Sequence, residues 1–463
     1  MFELGRELRR LFAADRPKPP QGLDREGLTR GDVALLELLD LKLLADEARF
    51  ADVAAGRIGA KDKPRRRLEA AMTWRELARR TGDAVALRKA AAIAETAAAG
   101  FDAERRAEGW ARARCEQGFC ALLGSELFGE PGLDAAAEAA FRDARKAVRG
   151  GIALPLADVG LALVAARRRL DKDGEPEARA LLRAFQAPIM ALDALARRTT
   201  EARALAAEAR LIRADLMCAW GARLNDEDLL RDAVEEARRA GERLDPAYEP
   251  LTWARADVVR GQALGLLGET TGDVQAITDG AARLAEALDH LTRDHSPLDW
   301  ARAQVSLAQT LQSLGEAACD ERAFEQAVRC YDRANLVLRD APTLPLRGVA
   351  ASARAVCLAR SAELTGDLAV LDAAEAAMKM ELAALSPGRD PVGWAIAQLH
   401  LARLYESRMD LTGRDRGERA AAVLALDSAL DVFGEHGLRA LSVLASDALV
   451  RLGGQGLASR LAG

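Results

Sequence analysis

The sequence predicts an all-α solenoid in which paired helices repeat about every 47 residues and stack on one another. Three observations carry this expectation. At 463 residues the chain is too long for one ordinary hydrophobic core, which leaves several domains or a repeat array. Half of the residues are apolar while aromatics are only 4%, and the dominance of Ala, Leu, Arg and Glu is a helix-forming alphabet. Finally, the rare prolines and tryptophans recur in one register.

That register is set by Pro250-Leu251-Thr252-Trp253-Ala254, followed by Pro297-Leu298-Asp299-Trp300-Ala301, Pro345-Leu346-Arg347-Gly348-Val349 and Pro391-Val392-Gly393-Trp394-Ala395. The steps are 47, 48 and 46 residues. Stepping backwards reaches Leu205, then Asp158 behind Pro155-Leu156, then Trp110-Ala111, a degraded form of the same unit. A second marker has the same period: breakers at Thr81-Gly82-Asp83, Asp173-Gly174, Thr271-Gly272-Asp273, Thr365-Gly366-Asp367 and Thr412-Gly413.

Each unit therefore reads as a proline at a helix start, where its missing N–H is harmless, an apolar pattern of helical period, a Gly-Asp turn and a second helix. In the unit from Pro297 the first helix carries Trp300, Leu307, Ala308, Leu311 and Leu314, and the second Ala327, Tyr331, Ala334 and Leu338. One such pair cannot bury its apolar face alone, so neighbours must stack and the ends need caps. About eight units begin near Pro64. The expected organisation is an amphipathic N-terminal helix at 1–13, a linker at 14–31, a capping helix at 32–60, degenerate repeats at 61–249, well-formed repeats at 250–434, and a capping helix with tail at 435–463.

The Pro-Leu-x-Trp-Ala opening, the Leu307-Ala308-x-x-Leu311 pattern and the endings Leu267-Gly268-Glu269 and Leu314-Gly315-Glu316 resemble tetratricopeptide-like repeats in a long-unit bacterial variant. The match is strong over 250–433 and weak over 64–249. The resemblance implies a right-handed superhelix whose first helices line a concave, ligand-binding face, and it implies no enzymatic activity. Mapped onto the groove-facing positions of that family, the candidate partner-binding residues are Arg255, Gln262, Arg302, Gln309, Gln312, His400, Arg403 and Glu406. Arg and Gln at such positions hold peptide backbones and carboxylates by hydrogen bonds, strengthened where a charge takes part.

Other chemistry is poorly supported. The net charge of −5 gives no field that would gather nucleic acid. Six scattered cysteines lack zinc or redox spacing and read as small core residues, while His290 and His295 fit helix-end positions better than a metal pair. Gly261 and Gly268 are best explained by close helix packing, since no strand precedes them, and Trp253, Trp300 and Trp394 by repeat-register packing. No cofactor, metal or nucleic-acid partner is expected. No apolar stretch is long enough to span a membrane and no signal-peptide pattern opens the chain, so the expected address is the cytoplasm.

The expected function is thus a non-enzymatic scaffold or adaptor that binds a peptide segment or folded protein on the concave face. The alternative is a membrane-peripheral assembly factor anchored by residues 1–12, where Phe2, Leu4, Leu8, Leu11 and Phe12 fall mostly on one helical face beside Arg6, Arg9 and Arg10; the same face equally fits docking on a partner or folding back onto the first repeat.

Overall fold

A computed structural model describes residues 33–57, 61–130, 132–170, 175–197, 199–339, 344–388, 391–436 and 438–461. The predicted helix at 1–13 and linker at 14–31 lie outside the described residues. Those described form an all-α solenoid of antiparallel helix pairs, as the sequence predicts. It divides into two compact units, 1–306 with 340–345, and 307–339 with 346–463. The boundary between 306 and 307 falls inside one helix.

The first unit starts with a 3₁₀ helix, η1 (Val33–Leu38), then α1 (Leu41–Gly56), α2 (Lys63–Thr81), α3 (Ala84–Ala103), α4 (Ala107–Phe128), α5 (Gly132–Ala147) and α6 (Ala153–Arg169). It continues through α7 (Glu175–Arg183), α8 (Gln186–Ala196), α9 (Thr200–Leu224), α10 (Glu227–Gly241), α11 (Pro250–Thr271), α12 (Val274–His290) and the start of α13 (Pro297–Ala318). The second unit takes the rest of α13, then α14 (Glu321–Leu338), α15 (Pro345–Thr365), α16 (Leu368–Ala384), α17 (Pro391–Thr412), α18 (Glu418–Glu435) and α19 (Arg439–Leu461).

The predicted repeat is visible in its punctuation. α11, α13, α15 and α17 begin at the register prolines. The second helices α3, α10, α12, α14 and α16 open on Asp83, Asp226, Asp273, Asp320 and Asp367, whose carboxylates accept from first-turn amides that have no partner within the helix. Gly272 ends α11 at φ +73, a left-handed cap that β-carbon residues adopt reluctantly.

Small residues set the helix spacing. A β-carbon on Gly261 would lie 2.7 Å from Leu284 Cγ, and one on Gly268 would lie 2.6 Å from the Asp273 carbonyl, so packing accounts for both glycines. The ring of Phe141, fully buried on α5, fits between Gly118 of α4 and Gly160 of α6, where added β-carbons would come within 2.6 and 2.4 Å of it. Trp253 and Trp394 are half-buried against core clusters, and Trp253 meets His290 edge-on at 4.8 Å.

Two sequence expectations need correction. The single capping helix expected over 32–60 is broken at Asp40, whose carboxylate takes the Leu43 amide at 2.8 Å and starts α1, leaving Val33–Leu38 as a separate 3₁₀ turn. Five cysteines are buried as expected, but Cys319 is exposed, in the left-handed turn (φ +51) that ends α13.

Candidate binding surface

Polar contacts between consecutive repeats fall at one repeat's separation along the chain. Arg255 reaches Glu208 across 47 positions at 3.4 Å, Arg179 reaches Asp226 across 47 at 2.7 Å, and Arg451 reaches Glu406 across 45 at 3.2 Å. Arg203 pairs with Glu249, and the Ser407 hydroxyl donates to Glu363, in the same manner. These contacts tie each repeat to the next by polar groups, where an apolar surface alone would leave register free to slip.

In the first unit the chain folds back on itself. Arg79 of α2 binds Asp299 of α13 at 2.6 Å across 220 positions, Arg302 of α13 pairs with Glu126 of α4, and Arg112 of α4 pairs with Glu201 of α9. Glu126 also takes Arg167 of α6 at 3.0 Å. Burial pushes the Asp299 carboxyl up, but Arg79, Arg255 and the Ser296 hydroxyl outweigh it and hold it at about 2. Asp215 stands open to solvent beside this network; partial desolvation and Glu126 raise its carboxyl against the pull of Arg302, Arg167 and Arg255. Of the candidates from sequence, Arg255 and Arg302 therefore face partners inside their own chain, and Gln262 of α11 is half-buried.

The second unit holds the remaining candidates on successive first helices. Gln309 and Gln312 are on α13, Gln309 exposed and Gln312 bonded to Glu316 on the next turn at 3.2 Å. Arg360 of α15 joins Glu316 at 3.6 Å and Glu363 at 2.6 Å. His400 and Arg403 of α17 border a narrow crevice of about 10 Å³ with Val356, Ala359, Arg360, Met378 and Leu404. Arg403 is exposed. His400 is half-buried, and desolvation with the Arg360 charge lowers its pKa, so the imidazole is neutral near neutral pH and offers one donor and one acceptor. Glu406 is raised by burial against the pull of Arg451.

Sequence reasoning missed Arg360 and Glu363 on α15, which carries no predicted candidate, and Ser407 on α17. Their signal was the repeat itself, because Glu269, Glu316 and Glu363 recur at 47-residue steps. A second cleft in this unit, lined by Asp372, Glu375, Lys379, Tyr405, Arg408 and Glu418, has four of its charges paired with one another: Arg408 binds Asp372 and Glu375 at 2.6 and 2.7 Å, and Lys379 binds Glu375 at 2.6 Å. Among the described residues, no cluster of His, Cys, Asp and Glu has metal-binding geometry, and no helix is long and apolar enough to cross a membrane.

Fold and surface together define an α-helical repeat protein. No protein-family model and no curated protein matches the sequence. Among solved structures the chain is similar to a Rap protein complexed with Competence and Sporulation Factor, at 11% identity and a TM-score of 0.50, over 85% of this chain and 98% of that one. It is also similar to aspartyl phosphate phosphatase F from Bacillus subtilis, at 12% identity and a TM-score of 0.37, over 86% of this chain and 94% of that one. At such identities the likeness is one of fold, and the first of these structures carries it.

Proposed function

We propose that this chain is a non-enzymatic adaptor that binds a peptide segment of another protein on the first helices of its second unit. The observation behind this reading is the contrast between the two sets of inner helices. Arg255 and Arg302 of the first unit are engaged by carboxylates of the same chain, whereas α13 offers the exposed Gln309 and α17 offers the exposed Arg403 beside the neutral His400. A peptide backbone needs donors and acceptors at regular spacing, and a peptide carboxylate needs a guanidinium; this surface supplies both. The Rap structure named above is a complex with a bound factor, and that supports the reading by likeness of fold only.

Selection of a displayed random-peptide library on the immobilised full chain tests it. Enriched peptides should lose binding to Arg403→Glu and His400→Ala chains and keep it on a chain carrying Arg88→Glu, an exposed change on α3. Peptides that bind all four chains alike would place the site elsewhere. The membrane-peripheral alternative rests on residues 1–12 alone and predicts that removing them releases the protein from a membrane fraction.

A further inference from the structure

Within the first unit one short segment is held as a ligand is held. η1 touches α2, α9 and α11. Leu36 and Leu39 are buried, and their carbonyls each accept from Arg80, at 2.7 Å to Nη2 and 2.7 Å to Nη1. Arg80 is itself fully buried, with Nε on Glu76 at 2.7 Å. On the other side, the Glu37 carboxylate accepts from the amides of Leu251 and Thr252 at 2.8 and 2.9 Å and from the Thr252 hydroxyl. His295 lies against the carbonyls of Glu37 and Leu39.

Those two amides open α11, and α11 lacks a side-chain cap of its own. Its N-cap residue, Glu249, is turned away to Arg203 and to the Asp245 amide at 3.0 Å. The aspartates that cap α3, α10, α12, α14 and α16 have no counterpart here, so the cap of α11 comes from a residue 214 positions earlier. A first-turn amide pair with the positive end of a helix behind it is a carboxylate receptor, and a buried guanidinium aimed at two main-chain carbonyls is a backbone receptor.

We propose that the seat formed by Arg80, the start of α11 and His295 is a binding site for a short acidic peptide with flanking leucines, filled in cis by Val33–Asp40, and that a peptide of the same chemistry displaces that segment. Recognition uses one carboxylate, two backbone carbonyls and two apolar side chains, which a second chain could present equally well. The cis segment holds the seat through its high effective concentration, so a free competitor must be present in millimolar excess. The inference does not depend on the surface proposed for the second unit.

Hydrogen exchange on the full-length protein tests it, with a synthetic peptide of residues 33–40 in millimolar excess. Leu36–Asp40 should lose amide protection while Leu251 and Thr252 keep theirs, and a peptide with Arg in place of its Glu, which offers the amides no acceptor, should do neither. In a second measurement, Glu37→Arg in the full chain should free the seat, so that the labelled peptide binds at least about tenfold tighter than to the unaltered chain, with the gain lost when Arg80→Gln is added. Unchanged protection at Leu36–Asp40, or equal binding to the altered and unaltered chains, overturns the proposal.

Discussion

Arg79 and Asp299 meet at 2.6 Å although 220 positions separate them, and both side chains are largely withdrawn from water, at 13% and 4% exposure. A charge left alone in such a place costs more than the pair contributes, because its desolvation is no longer compensated. Arg79→Ala, which leaves Asp299 with the Ser296 hydroxyl, should lower the unfolding free energy by about 3–5 kcal/mol; Asp299→Ala should cost less, because Arg79 keeps Glu76 at 2.8 and 2.9 Å, and Arg79→Met with Asp299→Leu should recover most of the larger loss. Urea unfolding of the three variants checks this.

Glu37 gives the pH dependence its sign. Burial raises its carboxyl to about 7 from 4.5, with Glu76 adding to the rise, and Thr252 and Arg79 opposing it; Arg80 and His295 are the other ionisable groups beside η1. A raised folded-state value means that stability is fully present below 4.5 and declines as pH climbs through about 7. The loss across that window should be on the order of 2 kcal/mol, given the segment's partial exposure. Glu37→Gln should flatten the window, measured as urea midpoints at its two ends. Asp299, held at about 2, acts oppositely: its contribution is lost only as pH falls through that region.

The packing of Phe141 between Gly118 and Gly160 leaves no room for a side chain, since a β-carbon on Gly160 would stand 2.4 Å from the ring. Gly160→Val should destabilise by about 2–3 kcal/mol through overpacking, and Phe141→Ala by about 3–5 kcal/mol through cavity formation. Thermal unfolding by circular dichroism reads both.

Thiol labelling under native conditions should modify one cysteine of the six, Cys319. The other five are buried. Burial also pushes the Cys115 and Cys357 thiols up to about 12, leaving little thiolate to react. Mass spectrometry of the labelled chain identifies the site, and rapid labelling of Cys115 or Cys357 would contradict the described core.

Much of the fold was legible in the sequence because prolines, Gly-Asp turns and tryptophans recur in one register, most completely over 250–433, and each has a local physical meaning. The return of the chain on itself was not. Nothing local in Arg79, Arg302 or Glu37 names Asp299, Glu126 or the start of α11 as a partner, since a charge carries no address over separations of 176 to 220 positions. Asp40 was readable in principle as an N-cap, but the dense leucines on either side of it suggested one continuous helix. The positions of Arg255 and Arg302 on the inner helices followed from the repeat register, and Glu208 lies one repeat before Arg255, whereas the engagement of Arg302 by Glu126 depends on the return of the chain within the first unit.

The adaptor reading stands or falls on whether Arg403 contacts the partner. The most direct measurement is affinity capture of the full-length protein from its native cells, read by mass spectrometry, beside the same capture with Arg403→Glu. The account predicts a protein enriched by the unaltered chain and lost from the variant while helicity is unchanged. Equal enrichment by both chains would contradict the proposed surface, and enrichment of no protein by either would contradict the adaptor function itself.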